Sequence, residues 1–138
     1  MTQQAAAPEP GIAAAVVVHE GRLLMVRRRR SEGRLSWQFP AGEIEPGESA
    51  AAATVREAKE ETGLDVAPLR LLGERVHPST GRRMTYTACE VTGGTARVGD
   101  PEDLAELAWV RREEIAEFVP YGFFEPVQRY LDETLPGN

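Results

Sequence analysis

Hydrophobic and polar positions along this chain first cluster in short runs and then recur with helical period, and each regime predicts an element. From position 12 the stretch IAAAVVVHEGRLLMVRRR holds two β-rich runs around His19-Glu20-Gly21, the pattern of a hairpin. A short strand over 37–40 leads into Gly42, and extended runs follow around 69–77, 83–91 and 107–110. Between them Ala51, Val55, Ala58 and Thr62 recur at i, i+4, i+7 and i+11, an apolar stripe that would dock one helix on a core. Ser49 is placed to cap that helix, and Gly63 supplies the left-handed residue that ends it. Segments 111–118 and 122–134 also read as helical, the second with Phe123, Val127, Tyr130 and Leu131 on its apolar face. Strands with helices on both sides predict the α/β class and an α/β/α sandwich around a mixed β-sheet.

The polar side of the first helix carries the chemistry. At 100° per residue, Glu57, Glu60 and Glu61 fall within roughly one 100° sector, away from the apolar stripe, and are expected to point outward. Like charges at i,i+3 and i,i+4 oppose each other by about 0.2–0.5 kcal/mol per pair, and more where the face is desolvated. A hard divalent cation reverses that penalty, so the cluster predicts a metal site. Mg²⁺, with its preference for oxygen ligands, suits two or three glutamates plus substrate phosphates, and Mn²⁺ could substitute. An EF-hand calcium loop is excluded, because the acids lie on the helix itself and not at alternating loop positions.

Read as a spaced pattern, the residues are Gly42, Glu48, Arg56-Glu57, Glu60-Glu61, Gly63 and apolar Leu64. This pattern, over positions 42–64, closely resembles the Nudix box. The resemblance implies a Nudix-type α/β/α sandwich and a hydrolase that cleaves within the pyrophosphate of a nucleoside diphosphate linked to another group. It implies that Glu57, Glu60 and Glu61 bind the metal and that the carbonyl of Gly42 joins them. Arg56 would orient the cluster by pairing with Glu48 or a neighbouring glutamate, since a guanidinium fork matches a carboxylate. Family members often draw their general base from a loop outside the box. The acidic stretch 100–109 resembles such a loop, with Asp103 the first candidate and Glu102 the second. If neither reaches the metals, Glu60 or Glu61 must serve.

Substrate contacts are expected outside the box. Arg27–Arg30 end the second hairpin strand, so only alternate members face the cleft; Arg27 and Arg29 are the candidates for phosphate contact, against a plain solvated edge. Trp37 and Phe39 bracket the approach to Gly42 and are candidates to stack on a base, against a role in the core. Arg82 belongs to the loop from His77 through Pro78 and Gly81, which could overhang the acidic helix. Pro78 lies in the neighbourhood where Nudix enzymes acting on ADP-ribose often carry a proline. Those enzymes follow it with a glycine and a glutamate, whereas Ser79-Thr80-Gly81-Arg82-Arg83 is basic.

Composition narrows the partners. The length of 138 residues predicts one domain, placed at 11–135 after a disordered tail at 1–10. A net charge of −6, from 22 acidic and 16 basic residues, argues against nucleic-acid polymers and anionic membranes but allows a small nucleotide. The single cysteine, Cys89, permits no internal disulfide and points to a reducing cytoplasm. No stretch approaches the length of a transmembrane helix or a signal peptide. Monomer and homodimer both remain open, with Phe123 and Phe124 the one apolar patch that could form an interface. The leading expectation is a nucleoside triphosphate, oxidised or otherwise non-standard, hydrolysed to monophosphate and pyrophosphate. The alternatives are ADP-ribose or a nucleotide sugar as substrate, or a catalytically silent nucleotide sensor.

Overall fold

The computed structural model describes residues 9–32 and 35–137, with side chains outside 30–36. Positions 1–8 of the expected tail lie outside the described residues. Arg82 contacts its last two residues, pairing with Glu9 at 3.0 Å and donating to the Pro10 carbonyl at 2.7 Å.

The hairpin pairs β1 (Ile12–His19) with β2 (Arg22–Glu32) through a turn in which Glu20 and Gly21 both have positive φ, 50° and 75°. Two consecutive left-handed residues match the twist of the flanking strands, which is why glycine at the second position favours this turn. Strands β3 (Leu35–Gln38) and β4 (Ala41–Glu43) follow, then helix α1 (Ala50–Thr62), β5 (Leu64–Val76), β6 (Arg83–Gly94) and β7 (Leu104–Val110). A 3₁₀ turn over Arg112–Glu114 leads into the short α2 (Ile115–Phe118), and α3 (Glu125–Thr134) closes the chain.

The sheet runs β3-β2-β1-β6-β5, with β4 added to β1 and β7 to β2. β1 and β6 are parallel and the other pairs antiparallel, so the sheet is mixed as expected. Its two faces bury different clusters. On one, Val16, Leu23, Met25, Tyr86 and Ala88 pack with Val127, Tyr130 and Leu131 of α3. On the other, Val17, Leu24, Val66 and Cys89 pack with Ala58 of α1. Residues 13–17 are fully buried because β1 is covered on both faces, and this explains its unbroken apolar run. Each valine or leucine so buried contributes about 1.5–3 kcal/mol.

Several boundaries differ from the sequence reading. β5 begins at Leu64, directly after the helix cap, β6 runs on to Gly94, and β7 starts at Leu104. β5 is an edge strand with three register irregularities, and residues 68–71 are all exposed, so it shows no alternation to read. α3 starts at Glu125, with Pro126 in its first turn, and Phe123 packs on the core from the segment before it.

α1 also sits differently on the sheet. Ala51 of the expected stripe is exposed, while Ala53, Thr54, Ala58, Glu61 and Thr62 are buried. The helix is rolled toward β4, and two of its three acids turn inward instead of outward. The buried threonines satisfy their hydroxyls on the helix itself, Thr54 on the Ala50 carbonyl at 2.8 Å and Thr62 on that of Ala58 at 2.6 Å.

Candidate active site

α1 is fixed at both ends by its sequence. Ser49 accepts the Ala52 amide at 3.0 Å, and Gly63, at φ 74°, donates back to the Lys59 carbonyl at 3.0 Å. The turn before it is closed by Glu48, whose carboxylate accepts the Glu45 amide at 3.0 Å. Residues 97–99 then dock on the far end of the helix: the Arg97 and Gly99 amides donate to the Thr62 and Glu61 carbonyls, each at 2.8 Å. The helix C-terminus thereby carries the loop that leads to Asp103.

Arg56 organises the acidic turn. Its Nε and Nη2 each donate to Glu48 at 2.8 Å, Nη1 donates to Glu57 at 2.8 Å and approaches Glu60 at 3.3 Å, and Nη2 also reaches the Glu43 carbonyl. The hydrogen bonds from Arg56 hold the Glu48 carboxyl down at about 2. Glu48 in turn raises Arg56 well above the ordinary arginine value.

The three helix acids sit in unlike surroundings. Glu60 is 56% exposed, Glu57 12% and Glu61 8%. Burial pushes Glu61 up to about 7, opposed by Arg28 and by the Ala41 amide that it accepts at 3.1 Å. Burial raises Glu57 as well, opposed by Arg56. The Glu57 carboxylate lies so close over Gly42 that a Cβ there would overlap it.

A cleft of about 680 Å³ gathers these groups, with Gly42, Glu57, Glu60 and Glu61 on one wall and Asp103 beside them. Phe39, Tyr86 and Phe123 form an aromatic wall, in which Phe39 stacks on Phe123 at 5.2 Å and meets Tyr86 edge-on at 6.2 Å. Trp37 also lines the cleft and packs edge-on against Phe118 at 4.9 Å. Both candidate aromatics are therefore core members that show one side to the cleft. Arg82 reaches the rim, bound to Glu43 and Glu9, each at 3.0 Å. Glu102 is exposed and lies outside the lining.

The candidate arginines of β2 are corrected by the structure. Arg27 pairs with Glu106 at 2.9 Å, and Arg29 donates to the Pro101 carbonyl at 2.6 Å; neither lines the cleft. Arg28 does. Leu24 lies in the cluster beneath α1 while Leu23 and Met25 lie in the other, so the even positions of β2 face α1. Arg28 is the functional candidate that the sequence reading missed, because the alternation gave two pairs and no means of choosing between them.

Among the described residues no group of three acidic, histidine or cysteine side chains is gathered at metal-binding distances. Arg28 and Arg56 engage the glutamate oxygens instead. The donor set nevertheless fits a hard divalent cation. It consists of carboxylate oxygens, two of them desolvated so that their charge is disfavoured, beside a glycine whose missing side chain leaves room for the Glu57 carboxylate. No helix among the described residues is long and apolar enough to cross a membrane.

A mixed sheet between helices, with an acidic helix reached through a glycine turn and facing one cleft, defines an α/β/α sandwich built to carry a Nudix box. A family model described as NUDIX domain matches residues 9–131. The chain belongs to the NUDIX family. It is 35% identical over 104 residues to the human protein named 8-oxo-dGDP phosphatase NUDT18, an alignment covering 73% of this chain and 32% of that protein. A Bacillus subtilis protein named putative 8-oxo-dGTP diphosphatase is 33% identical over 95 residues, covering 69% of this chain and 62% of that one. The chain thus spans about a third of the human relative and under two thirds of the Bacillus one. A solved NUDIX hydrolase from Nitrosomonas europaea superposes with a TM-score of 0.78 at 20% identity, covering 94% of this chain and 73% of that one. That likeness is one of fold.

Proposed function

We propose that this chain is a Mg²⁺-dependent hydrolase of the pyrophosphate linkage in a nucleoside diphosphate derivative. Its substrate in this reading is a nucleoside triphosphate, oxidised or otherwise non-standard, cut to monophosphate and pyrophosphate. The observation that carries the reading is the meeting of Gly42, Glu57, Glu60, Glu61 and Asp103 on one cleft whose other wall is aromatic.

Mg²⁺ held by Glu57, Glu60, Glu61 and the Gly42 carbonyl, with Mn²⁺ a substitute, would neutralise phosphate charge and acidify a water. The remaining steps belong to the chain. Asp103 accepts a proton from the attacking water as its oxygen bonds to phosphorus, and the bridging P–O bond breaks with its electron pair leaving on pyrophosphate. Arg56 keeps Glu57 and Glu60 on the cleft side while Glu48 anchors Arg56. Trp37 and Phe39 offer apolar surface to a base, and Arg82 offers positive charge at the rim.

The names of two relatives concern 8-oxo-dGDP and 8-oxo-dGTP, which makes oxidised guanine nucleotides the first to try. The single buried thiol, Cys89, supports a reducing cytoplasm as the working compartment. A panel of nucleoside triphosphates, diphosphates, ADP-ribose and nucleotide sugars with Mg²⁺, scored for pyrophosphate, phosphate and monophosphates, is the test. Pyrophosphate from a triphosphate is the expected product. AMP and ribose phosphate as the main products would replace this substrate by ADP-ribose, a reading that His77 and Thr80 on the cleft favour. Binding without turnover of any diphosphate would leave a nucleotide sensor.

A further inference from the structure

Arg28 makes more contacts across the cleft than any group the sequence reading singled out on β2, and its four partners come from four parts of the fold. Nε donates to Gln38 of β3 at 3.0 Å, and Nη1 donates to Asp103 of the loop before β7 at 2.8 Å. Nη2 donates both to the Ala41 carbonyl of β4 at 3.1 Å and to Glu61 of α1 at 3.3 Å. The side chain is only 18% exposed, whereas Asp103 is 53% exposed. A mostly buried guanidinium thus reaches out to fix a mostly exposed carboxylate.

The backbone brings the two together. β2 and β7 pair Arg27 with Glu106 and Arg28 with Leu104, so β7 carries one extra residue, Ala105, between these pairs. Such a bulge bends the strand that carries it, here the start of β7 next to Asp103, while Arg28 keeps the face that the alternation of β2 gives it. The same loop is held a second time by the backbone, where the Arg29 amide donates to the Asp103 carbonyl at 2.8 Å. Asp103 is thus held at two points, its carbonyl by the Arg29 amide and its carboxylate by the Arg28 fork.

We propose that Arg28 is a positioning residue for the reaction, joining Asp103 to Glu61 and the Ala41 carbonyl through one guanidinium and so setting the separation between the loop carboxylate and the acidic helix. This rests on the proposed function, in which Asp103 takes the proton from water. A planar fork is needed, because a lysine ammonium cannot hold partners on opposite edges in fixed geometry.

The test uses the full chain. Arg28→Gln should lower kcat by roughly 10–100-fold, with KM changed less than about threefold, since the loss falls on the chemical step. Arg28→Lys should recover only part of it, and added guanidinium should restore part of the kcat of Arg28→Ala. Asp103→Asn combined with Arg28→Gln should cost no more than the larger single loss, because both act through one carboxylate. Activity of Arg28→Gln within twofold of the parent, or strict additivity of the two changes, overturns the proposal. Amide exchange gives a readout that needs no substrate: Arg28→Gln and Arg28→Lys should both speed exchange at Asp103 and Leu104 while leaving α3 unchanged. Unchanged protection there overturns the proposal even if the parent hydrolyses nothing, an outcome that would itself count only against the proposed function.

Discussion

The carboxylate of Glu57 occupies the space that a side chain at position 42 would need. Gly99 has a comparable constraint of a different kind, because a Cβ there would meet the backbone of Glu60 and Glu61. The two glycines should therefore fail differently. Gly42→Ala displaces the end of a flexible side chain, so stability should stay within about 0.5 kcal/mol while kcat falls by roughly 10²-fold. Gly99→Ala presses on helix backbone and should cost about 1–3 kcal/mol in a denaturant titration. A Gly42→Ala protein that keeps full turnover would remove Glu57 from the working site.

Glu60 and Glu57 separate the demands of folding from those of chemistry. Glu60 is 56% exposed and bound only at one edge by Arg56, so Glu60→Gln should leave the thermal midpoint unmoved. Turnover of Glu60→Gln and of Glu57→Gln should each fall by about 10²-fold or more, and Mn²⁺ titration followed by paramagnetic relaxation should show weaker binding in both.

The metal-free protein should lose stability as pH rises through neutral. Burial raises Glu61 from 4.5 to about 7, so between those values the folded state holds a proton that the unfolded chain has released. The contribution is fully present below pH 4.5 and lost as pH passes 7. Its size is on the order of 1–3 kcal/mol. Glu61→Gln in a chelator should flatten that slope in denaturant titrations at pH 5 and pH 8, and Mg²⁺ should raise the midpoint of the parent more at pH 8.

Glu48 works in the opposite direction and at the other end of the scale. Its hydrogen bonds from Arg56 and the Glu45 amide lower it from 4.5 to about 2. Its stabilising contribution is present above pH 4.5 and lost as pH falls toward 2. Glu48→Gln should show a shallower loss of stability across that acid range, monitored by circular dichroism, and a parent no steeper than the variant would count against the pairing.

The parts of the molecule that were legible in the sequence are those fixed by local chemistry. Ser49 and Gly63 cap α1 through their own hydroxyl and backbone, and Glu48 meets Arg56 within one turn and one helix. What could not be read depends on pairing over distance. The choice between Arg27 and Arg28 is set by which face of β2 lies under α1, a matter of sheet order that no residue of β2 announces. The inward turn of Glu57 and Glu61 was hidden for a related reason. Counting apolar positions favoured the Ala51 side, whereas the buried face includes threonines that satisfy themselves and a glutamate that the Ala41 amide and Arg28 accommodate. Polar residues with partners supplied by the fold look like surface until the fold is known.

Cys89 has no part in the cleft, yet its placement has a use. It is 1% exposed on β6, between β1 and β5, and burial pushes its thiol up to about 12. A thiol-specific reagent in native solution therefore meets neither an accessible sulfur nor a thiolate, and can react only while the centre of the sheet is parted. With one cysteine in the chain, the labelling rate is a built-in clock for that opening, readable by mass alone, in any of the variants above and without an added probe.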